Sequence, residues 1–379
     1  MSMSLSMPLG RRSLLATAIA LPTLARAQTP PAQRPPAQAA GLELVATFTN
    51  PRQVTGVAVS PKGRVFVNFP RWEEDVAISV GEVGPDGALK PYPDVAWNSF
   101  RNAGPDANPA KTFVSVQSVT IDPLGNLWVL DAAAPNLGFE VRNGPKLVRI
   151  DLNTNTVARV YAFDTKLAPQ GTYLNDVRFT PDGKRAVLTN SGAPGSLITL
   201  DVATGEARRV LDGHPSTQFE KTTEIVVNGT KLQRPDGERP LLSADGIAID
   251  NRGQYVMWQA TTGATMYRVP VAALFDTRIS PVRLGSMVEM VTKTFVADGY
   301  WMGRDDVLYV TSCSDNSVKR MGNDKNFTVV AHDPRLLWPD SMAQGPDGML
   351  YVTASHIPEM KAWQGPGVAQ SELFRFKAS

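Results

Sequence analysis

The sequence predicts an all-β chain that folds as a six-bladed β-propeller. The prediction rests on one pattern, in which a polar residue is followed by a short alternating strand, a turn and a second strand. The pattern occurs six times, in copies that begin at Val54, Val116, Leu174, Ala244, Ala297 and Pro339. Successive turns lie 62, 58, 70, 53 and 42 residues apart. These intervals fit four strands and their loops per copy, as in a propeller blade.

The turns support the same interpretation, because their residues suit a tight reversal between two strands. Five copies end the turn with a glycine, as at Gly63 and Gly125, and the remaining copy has Asp306 in that place. Proline presets φ where such a turn begins, and glycine accepts the positive φ that closes it. Further strands, such as 146–151 and 196–201, fill the intervals. Two β-sandwiches are the alternative fold, but six matches in one register favour the propeller.

The N-terminal segment that precedes the repeats suggests an exported protein. Arg11 and Arg12 precede an apolar run at 14–24, and Ala-Arg-Ala follows at the position of a signal-peptidase site. Residues 1–27 are therefore expected to be a signal peptide, of the twin-arginine or the ordinary secretory type. The Pro-rich segment 28–40 is expected to be a disordered linker. The propeller should then occupy 41–379, in a periplasmic or secreted protein.

Composition excludes several classes of partner and site. The net charge is +2, from 38 basic and 36 acidic residues with no basic stripe, so we expect no nucleic-acid partner. No later run is apolar enough to span a bilayer, so no membrane insertion is expected after signal removal. Cys313 is the only cysteine and is interpreted as a buried structural thiol rather than a nucleophile. The three histidines lack metal-ligand spacing. A small-molecule ligand is the expected partner, and the oligomeric state stays open.

A ring of polar side chains is the strongest functional signal. Eight residues before the end of each turn stand Thr55, Gln117, Asn175, Asp245, Asp298 and Asp340. Equivalent positions of successive blades are related by rotation about the propeller axis. If the strand that carries this position is the innermost one, the six side chains form a ring at one mouth of the central channel.

The chemistry of such a ring is constrained by its charge. Three carboxylates in one cleft repel one another, so one stays protonated or a cation compensates. Oxygen ligands suit calcium or magnesium, and a divalent cation, with calcium preferred, is expected on Gln117, Asn175, Asp245 and Asp340. An organic ammonium, or a structural plug of waters and amides, would also satisfy the ring.

Neighbours of the ring are expected to contact the ligand. They are Thr55 itself, Ser118, Asp176, Ser341 and Trp338. Trp338 is either a stacking wall for the ligand or a core side chain.

Several segments resemble the major royal jelly protein/yellow family. They are 113–131, 145–152, 173–179 and 245–249, the last with the later Met-Tyr-Arg-Val-Pro at 266–270. The resemblance runs from about residue 42 to the C-terminus. It implies a secreted six-bladed propeller. Described insect members include dopachrome-converting enzymes and binders of biogenic amines, so the family leaves the function open.

The chain also resembles the gluconolactonase/regucalcin propellers. Those enzymes hold one divalent metal at the channel mouth with a Glu, two Asn and an Asp. Asn175 and Asp245 match an Asn and the Asp of that set, and Gln117 replaces the other Asn. The Glu expected near the first blade is absent, with Gln53 and Thr55 in that region. Asp298 and Asp340 would supply the missing charge.

Three functions follow as expectations. The first is divalent-metal-dependent lactone or ester hydrolysis, with the metal polarising a carbonyl and Asp245 or Asp298 as the base. The second is non-catalytic binding of small amines or aromatic ligands, with a cation–π contact from Trp338 or Trp97. The third is a dopachrome-type tautomerase, which needs a proton shuttle and no metal.

Overall fold

The described residues form six four-stranded sheets in a computed structural model that describes residues 41–104 and 107–378. The expected signal peptide and linker lie outside these ranges. Each sheet is antiparallel and is a blade of a propeller, so the predicted all-β, six-bladed architecture is confirmed. In the described ranges, no helix is long and apolar enough to cross a bilayer.

The strands follow one another in chain order from the inside of each blade to its outside. Strand β1 is Glu43–Phe48, and blade 1 contains β2 Gly56–Val59, β3 Val65–Asn68, β4 Val80–Val83 and β5 Leu89–Pro91. Blade 2 contains β6 Val116–Ile121, β7 Leu127–Asp131, β8 Lys146–Asp151 and β9 Thr156–Ala162. Blade 3 contains β10 Leu174–Phe179, β11 Arg185–Asn190, β12 Ser196–Asp201 and β13 Ala207–Val210. A hairpin of β14 Val226–Val227 and β15 Thr230–Lys231 follows.

The second half of the ring repeats this order. Blade 4 contains β16 Ala244–Ile249, β17 Tyr255–Ala260, β18 Thr265–Pro270 and β19 Glu289–Lys293, with helices α1 Val271–Phe275 and α2 Pro281–Gly285 before β19. Blade 5 contains β20 Tyr300–Met302, β21 Leu308–Ser312, β22 Ser317–Met321 and β23 Phe327–His332. Blade 6 contains β24 Pro339–Gln344, β25 Met349–Ala354 and β26 Ser371–Lys377. The described 3-10 turns are Pro135–Leu137, Pro215–Thr217, Cys313–Asp315, Ile357–Glu359 and Lys361–Trp363.

The predicted turns join the two innermost strands of each blade. Their last residues all have positive φ: Gly63 79°, Gly125 84°, Gly183 67°, Gly253 66°, Asp306 61° and Gly348 81°. Asp306 holds this backbone without being a glycine, and its carboxylate accepts a hydrogen bond from Asn251 of the neighbouring blade at 2.8 Å. The one deviant turn in the sequence is therefore equivalent in structure to the other five.

The ring is closed by strand β1, which completes the last blade rather than the first. It pairs antiparallel with β26 and so forms the outer edge of blade 6. Glu43 lies opposite Arg375 and is ion-paired with it at 2.8 Å. At the other end of the strand, Phe48 packs edge-on against Phe69 of blade 1, with ring centroids 5.1 Å apart. One strand thus joins the first and last blades.

The hydrophobic core is divided among the interfaces between neighbouring blades. Between blades 2 and 3, for example, Trp128 packs against Phe179 with ring centroids 4.6 Å apart, inside a cluster that includes Leu147 and Leu188. Cys313 is fully buried in another cluster, beside Trp338. Each sheet therefore buries both faces, although each strand is short.

The closing strand provides a test of this architecture. Replacing Phe48, which is 4% exposed, by Ala should lower the free energy of unfolding by about 3–5 kcal/mol, because it opens a cavity between the first and last blades. Leu44→Ala in the same strand is the matched control, since Leu44 is 54% exposed and should change stability by less than about 0.5 kcal/mol. Equilibrium urea denaturation measures both. Equal losses of unfolding free energy in the two variants would contradict the role of β1 in joining the first and last blades.

Candidate functional site at the channel mouth

A cavity of about 650 Å³ lies where the inner strands begin. Its floor contains five of the six predicted ring residues: Gln117, Asn175, Asp245, Asp298 and Asp340. Trp338 also lines the cavity. The count of eight residues back from each turn therefore brings side chains from five blades into one site.

The inner strands are irregular at the ring, and this irregularity aims the side chains. Register shifts interrupt the pairing of β6, β10, β16 and β24 around Gln117, Asn175, Asp245 and Asp340, respectively. A bulge of this kind turns a side chain away from the regular alternation of the strand. A polar residue can therefore face the channel mouth while the rest of its strand packs between blades.

Close packing at the axis explains why a small or polar residue follows each ring position. A Cβ atom on Gly246 would lie 2.2 Å from the backbone oxygen of Asp298, and one on Gly299 would lie 2.1 Å from that of Asp340. Neither position can accept a side chain without moving the next blade. The Asp-Gly pairs at 245–246 and 298–299 thus combine an acidic group with a close approach of two backbones.

Two carboxyl groups of the floor lie beside each other. Asp245 and Asp298 interact closely enough for each to affect the pKa of the other. The Asp245 Oδ2 also accepts bonds from the Asn175 amide at 2.7 Å and from the Thr261 hydroxyl at 2.5 Å. The Asp298 Oδ2 accepts a bond from the Trp338 indole N–H at 2.5 Å. Each carboxyl is therefore fixed by its own donors.

Folding raises the pKa of both carboxyl groups. Burial, followed by the charge of Asp298, raises the pKa of Asp245 well above its ordinary value. Burial raises the pKa of Asp298 to about 6, because the bond from Trp338 offsets part of the effect. Because the two groups interact, the raised values belong to the pair, which gives up its protons less readily than two isolated carboxyl groups.

Asp340 is a third acidic group with a suppressed charge. Burial, followed by the charges of Asp298 and Asp245, raises the pKa of Asp340 well above its ordinary value. The Ser341 hydroxyl donates to its Oδ1 at 3.2 Å. Folding therefore disfavours the charged forms of all three acidic groups of the floor.

Below the floor, an arginine crosses the channel. Arg178, further along β10 than Asn175, is ion-paired with Asp176 at 2.6 Å. The same guanidinium donates to the backbone oxygen of Tyr300 at 2.9 Å. Tyr300 belongs to blade 5 and Arg178 to blade 3, so the bond joins two blades that are not neighbours in the ring.

Four predicted ligand contacts do not line the cavity and instead bond to protein. The Thr55 hydroxyl donates to the backbone oxygen of Gln117 at 3.1 Å, and the Ser118 hydroxyl donates to Asp176 at 2.8 Å. Ser341 bonds to Asp340, and Asp176 pairs with Arg178. These four groups join neighbouring blades or brace the floor. Trp97 also lies elsewhere, since it packs against Phe113 with ring centroids 5.1 Å apart.

The walls contain residues that sequence reasoning missed. They include Trp72, Tyr173, Ile357, Met360 and Trp363. The Tyr173 hydroxyl accepts a bond from the Trp72 indole at 2.6 Å and donates to the Gln117 Oε1 at 2.8 Å. Tyr173 stands two residues before Asn175, and Trp72 begins a long loop, so the sequence indicated only weakly that either lines the cavity. Residues 357–363 follow β25, and nothing in the sequence indicated that they do.

Several of the oxygen atoms that a divalent cation would need accept hydrogen bonds from the protein. Calcium requires about six to eight oxygen ligands. The Asp245 Oδ2 and Asp298 Oδ2 accept bonds from protein donors, and the Gln117 oxygen accepts one from Tyr173. Among the described residues, no group of three or more His, Cys, Asp or Glu side chains is placed to hold a metal ion. A cation on these residues would have to displace the existing bonds, and the predicted metal site stays a prediction.

Comparison with known proteins gives a family match over most of the propeller. The family model described as "Major royal jelly protein" matches residues 114–364. "Protein yellow" of Drosophila erecta is 30% identical over 136 residues, which cover 34% of this chain and 24% of that protein. "Protein yellow" of Drosophila melanogaster is 33% identical over 120 residues, which cover 29% of this chain and 21% of that protein. The match thus spans about a quarter of these curated relatives.

Solved structures share the fold at low sequence identity. Regucalcin from Agrobacterium tumefaciens, titled a calcium-binding protein, has a TM-score of 0.52 and 14% identity, over 89% of this chain and 93% of that chain. A gluconolactonase from Xanthomonas campestris has a TM-score of 0.51 and 11% identity, over 89% and 94%. A luciferin-regenerating enzyme has a TM-score of 0.53 and 10% identity, over 89% and 95%. At these identities the likeness establishes the fold only.

The suppressed charge of Asp340 predicts a pH-dependent stability. A carboxyl whose pKa is raised by folding weakens the fold at neutral pH, and this cost disappears as pH falls through the raised value. Asp340→Asn imitates the protonated form, so it should raise the free energy of unfolding at about pH 7.5. The variant should also have a smaller stability difference between about pH 5.5 and 7.5.

Asp347→Asn is the control for that measurement. It removes the same charge from a turn of the same blade, where the side chain is 45% exposed. Thermal or urea unfolding at both pH values compares the three proteins. A lower stability of Asp340→Asn at neutral pH would mean that the Asp340 carboxylate is satisfied in its charged form.

Proposed function

The chain belongs to the major royal jelly protein family, and we propose that its cavity binds a small, largely apolar molecule and moves a proton on it, as an acid–base isomerase or tautomerase. The observation that supports this proposal is the Asp245–Asp298 pair, a buried acid beside a buried carboxylate on the floor of an aromatic cavity. Pairs with separated pKa values are suited to proton transfer near neutral pH.

The walls and floor support binding of a mostly apolar molecule with one polar edge. Trp72, Ile357, Met360 and Trp363 surround the entrance with apolar surface. The Asn175 Oδ1 and the Gln117 Nε2 have no hydrogen-bond partner in the part of the chain that the structure describes, because the other atoms of the two amides make the protein bonds. One acceptor and one donor are therefore available beside the acid pair.

A balanced proton transfer follows from the state of the pair. The Asp298 carboxylate takes a proton from an acidic C–H of the substrate, and Asp245 gives its proton to the substrate oxygen on which negative charge develops. Asp298 is then protonated and Asp245 ionised. Transfer of the proton from Asp298 to the neighbouring Asp245 restores the starting state. The reaction needs no external acid, base or redox partner.

Loss of the base should abolish the reaction. With L-dopachrome as the test substrate, Asp298→Asn should lower kcat by about 10²–10⁴-fold, because Asn cannot accept the proton. Asp347→Asn removes an exposed carboxylate from blade 6 and should retain the wild-type rate. Conversion is followed by loss of the dopachrome absorbance. A wild-type rate in Asp298→Asn would exclude Asp298 as the base, and no conversion by any variant would remove L-dopachrome as a substrate.

Binding without turnover is the second candidate, and the acidic floor beneath aromatic walls favours it. An ammonium group would pair with Asp298 while its apolar body contacts Trp338 and Trp363. Calorimetry with tryptamine distinguishes the two functions when it is combined with the dopachrome assay. A binder retains affinity for the amine in the wild type, loses it in Asp298→Asn and converts nothing.

Metal-dependent lactone or ester hydrolysis stays a prediction from the sequence, and the hydrogen bonds of the floor oppose it. Under our proposal, chelation by EDTA leaves L-dopachrome conversion unchanged, because no metal takes part in the proton transfer. Hydrolysis of δ-gluconolactone, assayed before and after EDTA and after calcium is restored, is the parallel measurement. Hydrolysis that disappears with EDTA and returns with calcium would replace the acid–base proposal with the metal hypothesis. Export likewise stays a prediction.

A further inference from the structure

One wall of the cavity is made by a segment that belongs to no sheet. We name residues 357–363 the wall segment; it consists of the 3-10 turns Ile357–Glu359 and Lys361–Trp363, joined by Met360. Ile357, Met360 and Trp363 from this segment line the cavity. Any ligand that enters the cavity therefore touches a part of the chain that lacks the hydrogen-bond ladder of a blade.

Few polar contacts hold the wall segment to the rest of the protein. The Ala362 amide donates to the Glu73 carboxylate at 2.8 Å. Just beyond the segment, the Gln364 side chain donates to the backbone oxygen of Arg234 at 3.0 Å. Both partners lie in loops. The position of the wall thus depends on how the segment is attached at its start, where it leaves blade 6.

His356 makes that attachment with both ring nitrogens. Its Nδ1 lies 3.0 Å from the Glu359 Oε2, within the wall segment, and its Nε2 lies 2.8 Å from the Glu372 Oε2, on β26. A neutral imidazole has one N–H, whereas two carboxylate acceptors require two. The geometry therefore selects the doubly protonated, positively charged ring, which bridges the loop to the blade.

The backbone of His356 is strained in a way that keeps the bridge in place. Its φ is 55°, in the left-handed region, and its amide donates to the Leu337 oxygen at 3.1 Å. A residue other than glycine pays a conformational cost in this region and holds it only where the surroundings impose it. The orientation of the imidazole is thus set by the backbone as well as by the two carboxylates.

We propose that His356 is a positioning residue for the cavity, which clamps the wall segment to blade 6 while its ring is doubly protonated and releases it when the ring loses a proton. The clamp acts on the wall and not on the reacting groups, so the inference holds whether the cavity binds or converts its ligand. It makes the shape of the ligand site sensitive to pH.

The charged groups around His356 give the direction of the effect. Burial opposes the charged ring, but the hydrogen bond and charge of Glu372, and then those of Glu359, outweigh it and raise the pKa of His356. Arg335 acts on Glu372 from the loop before β24 and is itself ion-paired with Asp333 at 2.7 Å. A histidine with a raised pKa contributes stability that is complete below its ordinary pKa and is lost as pH rises through the raised value.

Hydrogen exchange of the full-length protein, measured by mass spectrometry, tests the clamp. After correction for intrinsic exchange rates, protection of amides in 357–367 should fall, by up to about tenfold per pH unit, as pH rises from the ordinary pKa of histidine to the raised pKa of His356, and should then level off. His356→Asn should lack this protection at every pH, because Asn tolerates the left-handed backbone but cannot bridge two carboxylates. Glu372→Gln should move the loss of protection to lower pH, because it removes one of the two charges that stabilise the ring.

The same exchange experiment includes a control variant and can overturn the clamp. His332→Asn changes a histidine on β23, away from the wall segment, and should match the wild type. Peptides from β10 and β16 report whether any variant opens the whole propeller. Wild-type protection of 357–367 that stays constant with pH, or His356→Asn that matches the wild type, would overturn the clamp without bearing on the Asp245–Asp298 pair.

Discussion

Six sheets that meet around one axis must satisfy the polar groups at the ends of their inner strands across the boundaries between blades. The structure meets this requirement with side-chain bonds that pass from one blade to the next. Thr353 of blade 6 donates to the Thr55 oxygen of blade 1 at 2.7 Å, and Thr55 donates to Gln117 of blade 2. The circle continues through the bonds Ser118–Asp176, Asn175–Asp245 and Trp338–Asp298, and the carboxyls of Asp245 and Asp298 interact between the last two. The cavity floor consists of the residues of this circle that line the cavity.

Because the same residues close the ring and form the floor, most of their hydrogen-bonding capacity is used by the protein. Burial and mutual repulsion raise the pKa of Asp245 and Asp340, so folding itself lowers the charge that three carboxyls would otherwise bring into one cleft. Under the proposed function, the walls select the molecule that enters, and the Asp245–Asp298 pair acts on it.

The sequence predicted the parts of this site that follow from local repetition, and it failed where tertiary contacts decide. Turn residues and the polar positions eight residues before them recur in each copy, so the fold and five floor residues could be found by counting. Thr55 occupies the same register, yet its hydroxyl turns to the next blade. Nothing local shows that Trp338 binds a carboxyl group, that Trp97 packs against Phe113, or that 357–363 forms a wall, because each depends on loops that have no repeat.

The completion of blade 6 by β1 has a consequence for how the molecule is assembled. Glu43 and Arg375 are separated by 332 residues along the chain, so the contact between them cannot form until all six blades have been synthesised. Contacts between residues so far apart in sequence are slow to form, because the entropic cost of closing a long loop comes before the contact stabilises the fold. Until then the ring is an open arc, with the edge of β26 unpaired and prone to pair with another chain. The interval between synthesis and closure is therefore the period in which this protein is most exposed to misassembly.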